Sequence, residues 1–101
     1  MVRHIVLFQL IEKLSESEKY ELFVKFKTSI ENLPQTIDFI KRIEVGYNIN
    51  TDENWDICLL SEFDALEDVR RYSVHPEHIA AAGIIKPYLM GRSCVDYCIS
   101  N

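Results

Sequence analysis

The chain has 101 residues, 48% hydrophobic and 27% charged, with a net charge of −5. That suffices for one domain, residues 1–101, around one modest core. The eleven Lys and Arg are scattered, which argues against a nucleic-acid footprint or a polybasic membrane patch, and no apolar run approaches the roughly 18 residues of a membrane span.

The N-terminal MVRHIVLFQL has a charge followed by apolar residues, but Gln9 interrupts it and no small-residue cleavage site follows, so no signal peptide is expected. Three cysteines, an odd number, then point to reduced thiols and a cytoplasmic location. Val2–Ile11 reads as a strand apolar on both faces. Val2, His4, Val6, Phe8 and Leu10 share one face; Ile5, Leu7 and Ile11 share the other. Such a strand belongs in the middle of a sheet. His4 therefore points into the interior, where the simplest reading is a core histidine with a hydrogen-bond partner.

Ser15-Glu16-Ser17-Glu18 is a capping box opening a helix. Leu22, Phe23, Phe26, Ile30 and Leu33 recur at helical spacing, and Pro34 closes the helix. This stripe is core-like, and it can also form the wall of a pocket. Phe39–Asn48 is a second strand with Ile43, Val45 and Tyr47 on one face. A polar turn over Asn48–Asn54 leads to a third strand, Trp55–Phe63, with Trp55, Ile57, Leu59 and Phe63 facing one way and Cys58 and Leu60 the other. Asp64-Ala65-Leu66-Glu67 repeats the capping-box pattern before a helix carrying Leu66, Val69 and Tyr72.

His75-Pro76-Glu77-His78 follows. Pro76 suits a first helical turn and pushes the residue before it extended, which places His75 at the N-cap and His78 in the first turn. The positive end of a helix dipole favours neutral imidazole at His78, the form able to accept a proton. Tyr72 closes the preceding helix, so a phenol and an imidazole flank one bend. The plain alternative is a corner that only joins two helices. A helix is expected over Ile79–Leu89, weakened at Pro87 and stopped by Gly91, before a final strand over Ser93–Ser100.

The order is βαββαβ. Short connections and right-handed crossovers give an α+β fold of the ferredoxin-like type, a four-stranded antiparallel sheet in the order 4-1-3-2 with both helices on one face. The opposite face carries apolar residues that nothing in the chain covers, so a second copy is expected there, making a homodimer.

Three segments, MVRHIVLFQL, YSVHPEHIAAAGIIKPYL and SCVDY, together resemble the stress-responsive dimeric α/β-barrel (Dabb) family over nearly the whole chain. The resemblance implies two ferredoxin-like sheets packed face to face, with no activity assigned to many members. The best-defined chemistry in the family belongs to plant polyketide cyclases of the olivetolic acid cyclase type. It implies catalytic positions at Tyr72 and His78, in a pocket expected to include His4, Val6, Phe23, His75 and Asp96. After His78 the chain reads Ile79-Ala80-Ala81-Ala82-Gly83, lacking the aromatic that helps form the cyclase pocket. A different or smaller ligand, apolar or carbonyl-bearing, is therefore implied.

Cyclising a poly-β-ketone requires removing a proton between two carbonyls and stabilising the resulting enolate or alkoxide. Neutral His78 can serve as base, Tyr72 can donate to the oxyanion, and Asp96 can orient an imidazole from the last strand. A non-catalytic binding dimer stands beside this reading. No cofactor is expected, since no glycine-rich phosphate loop exists. No metal site is expected either: His75 and His78 are three apart and no fourth ligand accompanies them and His4. Relatives can hold a cation on backbone carbonyls near the end of the first helix, here Ile30 and Leu33. Cys94 and Cys98 share a strand face with Cys58 two strands away, too far for a disulfide.

Overall fold

The structure, a computed structural model, describes residues 1–100. It is a four-stranded antiparallel sheet in the order β2-β3-β1-β4, with β1 at Val2–Leu10, β2 at Arg42–Tyr47, β3 at Ile57–Phe63 and β4 at Leu89–Cys98. Three helices lie on one face: α1 (Glu16–Glu31), α2 (Leu66–Ser73) and α3 (Pro76–Ala82). β1 sits inside because its two rows differ in burial. Val2, His4, Val6, Phe8 and Leu10 are buried beneath the helices, while Ile5, Leu7 and Gln9 are half-buried on the open face.

α1 starts where the capping box places it. The Ser15 hydroxyl accepts from the Glu18 N–H, and the Glu18 carboxylate accepts from the Ser15 N–H at 2.8 Å. Its apolar stripe buries Phe23, Phe26 and Ile30, and Phe26 meets Phe8 of β1 edge to face at 5.5 Å. At its C-terminal end the Glu31 carboxylate accepts from the Val45 N–H at 3.0 Å and from Lys27 at 2.6 Å, which ties α1 to β2. Pro34 lies in a short 3-10 turn that closes the helix.

Several boundaries depart from the sequence reading. β2 begins at Arg42 rather than Phe39, because Ile37 and Ile40 are buried in a turn. β3 begins at Ile57, leaving Trp55 outside the strand. The second capping box does not form: the N-cap is Ala65, and Asp64 pairs with Lys41 at 3.5 Å. Most consequentially, the helix after the HPEH corner ends at Ala82, well short of Leu89. Gly83 is its C-cap, and Lys86–Tyr88, containing Pro87, form a separate 3-10 turn. A proline removes a backbone donor and ends regular helix.

β4 consequently starts at Leu89, and Gly91 lies within it opposite Gln9 rather than stopping a helix. A side chain at Gly91 would meet Gln9 Oε1 at 3.3 Å and the Trp55 ring at 3.6 Å, so a larger residue there would press on the Gln9 side chain. The register shift between Gln9 and Leu10 falls at the same place. Cys58, Cys94 and Cys98 are free thiols. Among the described residues no helix is long and apolar enough to cross a membrane.

The packing of α1 on β1 predicts that Phe26→Ala, at a site 1% exposed, lowers the unfolding free energy by about 3–5 kcal/mol. Ser15→Ala should lower it by about 1 kcal/mol. Guanidinium unfolding checks both. A loss under 1 kcal/mol for Phe26→Ala would contradict the assignment of this contact as the centre of the core.

Candidate functional site

One rung of the sheet is polar. His4 of β1 stands opposite Ser61 of β3 and Asp96 of β4 in the register, among rows otherwise built from Val6, Leu59 and Phe63. The Asp96 carboxylate accepts from His4 Nδ1 at 2.5 Å, and the Ser61 hydroxyl donates to the His4 carbonyl at 3.4 Å. A carboxylate oxygen only accepts, so the His4 proton sits on Nδ1 and Nε2 faces away from Asp96. His4 itself is buried.

The corner between α2 and α3 stands above this rung. His75 is extended, with φ −67° and ψ 132°, and its Nδ1 accepts from the Glu77 N–H at 3.1 Å, so its side chain is the helix cap. Pro76 follows at the first helical position. One turn on, His78 Nδ1 lies 3.2 Å from the Ser73 carbonyl, the end of α2. The carbonyl requires a donor, which puts the His78 proton on Nδ1 and leaves Nε2 as a bare acceptor. Thus the bend, held by Pro76, selects the tautomer. Burial is the leading influence that pushes the His78 pKa below 6.5; the Ser73 bond opposes it, and the fields of His4, Arg92 and His75 lower it further. α3 has only seven residues, so the chief cause is burial rather than the helix dipole.

Tyr72 lies at the end of α2 with 0% exposure. Its ring centroid is 4.2 Å from that of His78, 5.2 Å from Phe63 and 6.3 Å from His4. Its hydroxyl is the one buried side-chain polar atom without a hydrogen-bond partner among the described residues. Burial raises its pKa far above the ordinary 10, so the phenol is neutral and keeps an O–H able to donate a hydrogen bond.

Between this corner and the sheet is a cavity of about 410 Å³. His4 and His78 line it together with an apolar wall that includes Val6, Phe8, Leu59, Ile79, Ile85 and Leu89. Its size is that of a small-ligand site. Of the residues expected here, the structure brings His4, Val6 and His78 to the cavity. Tyr72 and Asp96 stand behind it, each against one of the two imidazoles. Phe23 is elsewhere, packed between Tyr20 and Tyr47 at 5.5 and 5.1 Å, because that part of α1 packs over β2, the strand at the opposite edge from β4. His75 is committed to the cap. Asp96 meets His4 rather than His78.

Lys86 and Arg92 also line the cavity, and sequence reasoning passed over both. Running the helix on to Leu89 put Lys86 on a helix face, and starting the strand at Ser93 left Arg92 in a connection. Pro87 was the available signal. Moving the strand start to Leu89 sets Arg92 opposite Phe8 on the cavity side of the sheet.

Two other chemistries are disfavoured by the geometry. Cys94 Sγ lies 3.6 Å from His4 Nδ1, the same nitrogen that Asp96 occupies. An imidazole relays a proton only when its partners engage opposite nitrogens, and burial raises the Cys94 thiol pKa, with the Asp96 charge adding to the rise. Donor atoms of His4, Cys94 and Asp96 lie within 4.8 Å of one another, yet a metal there would have to displace the Nδ1 proton and part Asp96 from His4. The three histidines do not converge as ligands, since His75 and His78 have separate backbone partners. At the end of α1 the Leu33 carbonyl already accepts from the N–H groups of Thr36 and Ile37 and from the Thr36 hydroxyl, and the Ile30 carbonyl accepts from the Asn32 N–H.

Similarity to known proteins was found at three levels. The family model for the stress responsive A/B barrel domain matches residues 2–99. The crystal structure of a dimeric ferredoxin-like protein of unknown function from Bacteroides fragilis superposes with a TM-score of 0.92 at 49% identity, covering 95% of this chain and 93% of that one. A second dimeric ferredoxin-like protein of unknown function, from Thermobifida fusca, gives a TM-score of 0.79 at 28% identity over 97% of this chain and 90% of its own. Olivetolic acid cyclase from Cannabis sativa is 23% identical over 99 residues, 95% of this chain and 94% of the cyclase.

The lowered His78 pKa predicts an NMR titration midpoint below 6.5, assigned with a His78→Gln variant. Below 6.5 the unfolded chain takes up a proton that folded His78 refuses, so this contribution to stability is intact above 6.5 and is lost as pH falls toward the folded midpoint. His78→Gln should remove that part of the pH dependence. A midpoint at or above 6.5 would contradict the burial argument.

Proposed function

The chain belongs to the stress-responsive A/B barrel (Dabb) family, and from that premise we propose that it is a cytoplasmic homodimer, closed through its open sheet faces, that binds a small apolar or carbonyl-bearing molecule in the cavity beneath α3. The observation that carries the binding reading is the cavity itself: an apolar wall with two imidazoles set into it, one of them held as a neutral proton acceptor. Few polar groups at fixed positions in a mostly apolar concavity are what a small-molecule site requires. Neither nucleic acid nor a membrane is a partner in this reading. No cofactor is needed, because proton transfer to His78 Nε2 uses only the chain's own groups.

The homodimer rests on the face opposite the helices. Ile5 lies there between Leu60 of β3 and Val95 of β4, and Val95 is 54% exposed. Arg3, Glu62, Arg42 and Glu44 form a chain of ion pairs on the same face, a polar margin of the kind that borders an apolar interface centre. The dimeric relatives from B. fragilis and T. fusca support the same association.

A second reading is cyclase-like, an intramolecular aldol or Claisen cyclisation with His78 as base and Tyr72 as oxyanion donor. One observation favours it. A buried, unpartnered hydroxyl costs about 1–3 kcal/mol, and such an orphan packed on the candidate base suits a donor kept for a bound oxygen. The hydroxyl is enclosed, so in this reading ligand entry displaces part of the wall between Tyr72 and the cavity. The distant likeness to olivetolic acid cyclase supports it as well.

Light scattering at micromolar concentration should return twice the chain mass, and Ile5→Glu should aggregate or unfold rather than give a well-behaved monomer. A monomeric wild type would sink the dimer. For the second reading, Tyr72→Phe should raise the unfolding free energy by about 1 kcal/mol, while Tyr72→Phe and His78→Ala each abolish cyclisation of a β-polyketide thioester. Equal turnover in wild type and both variants would eliminate it. A wild type without turnover leaves the binding reading alone.

A further inference from the structure

The cavity is apolar in its walls and cationic at two points. Lys86 projects from the 3-10 turn that follows buried Ile85, and Arg92 projects from β4 opposite Phe8; both line the cavity with His4 and His78. Among the described residues Arg3, Lys19, Lys27, Lys41, Arg42, Arg70 and Arg71 are in ion pairs, whereas Lys13, Lys25, Lys86 and Arg92 are in none, and of these four Lys86 and Arg92 line the cavity. The chain carries −5 overall, so acidic groups are plentiful and none has been placed against these two. Asp96, the carboxylate that stands behind the cavity, is engaged by His4.

We infer that the natural ligand of this cavity is an amphipathic carboxylate, its apolar body against Val6, Leu59 and Ile85 and its acid group between Lys86 and Arg92. The inference rests on the small-molecule reading of the cavity and adds the chemical class of the ligand. Two unpaired cations at the edge of an apolar hollow supply the charge-assisted hydrogen bonds that orient such an acid, and a guanidinium matches the two oxygens of a carboxylate in one plane. The charge of Arg92 is felt inside the hollow, since it helps depress the pKa of His78.

The test uses 4-phenylbutyrate and its uncharged counterpart 4-phenylbutan-1-ol, titrated calorimetrically into the intact protein near neutral pH. The acid should bind about tenfold or more tightly than the alcohol, with the difference shrinking as salt is raised. In the Lys86→Gln/Arg92→Gln double variant, checked for folding by circular dichroism, the alcohol should bind as in wild type and the preference for the acid should fall to within about twofold. Equal binding of acid and alcohol by the wild type would overturn the inference and leave the cavity reading standing. A double variant that keeps the full preference would also overturn it. Binding of neither compound would overturn both.

Discussion

The fold depends on one constraint: the buried row of β1 must be covered by helices, and one of its five members is a histidine. Val2, Val6, Phe8 and Leu10 are satisfied by burial alone, and Phe26 and Ile30 of α1 supply the cover. His4 cannot be buried without hydrogen-bond partners. Its neighbours in the register, Asp96 and Ser61, are the polar residues that make the position tenable. Placing Asp96 inward on β4 leaves that edge strand less apolar and more exposed than β1 or β3. The edge is therefore where the helical cover thins, and the cavity opens there.

The corner at Pro76 supplies the other wall. A continuous helix from Leu66 onward would lie across the sheet and fill the space above His4. The break at Val74–His75 instead turns α3 away, brings His78 over Tyr72, and uses the Ser73 carbonyl freed at the end of α2 to orient the imidazole. Both cavity histidines are thus held at Nδ1 by a fixed acceptor and present Nε2. One mechanism is backbone, the other a carboxylate. His78, kept neutral by burial, gives the hollow a bare acceptor for a hydrogen-bond donor or a transferable proton.

Much of this was legible in the residues. The two-faced pattern of Val2–Leu10 placed β1 inside the sheet, the Ser15–Glu18 box fixed the start of α1, and His75-Pro76 fixed the corner, because each is a local signal with a local cause. Strand order put Asp96 beside the strand that carries His4 and left open which imidazole it would meet. What escaped was set by tertiary context. Asp64 has the right type and spacing for a cap yet is drawn to Lys41. Phe23 has the same periodicity as Phe26 but is packed against Tyr20 and Tyr47. The run Ile79–Leu89 reads as helix until the weight of Pro87 is given its due, and that single boundary hid Lys86, Leu89 and Arg92 from the site.

The proposed binding place is the hollow beneath α3 rather than the open face of the sheet. Intermolecular NOEs from bound 4-phenylbutyrate to methyl groups test it directly, since both surfaces carry assignable aliphatic residues. The account predicts NOEs to Val6, Leu59, Ile79 and Ile85, which line the hollow, and none to Ile5, Leu60 or Val95 on the opposite face. NOEs to Ile5, Leu60 and Val95 with silence at Ile79 and Ile85 would contradict it.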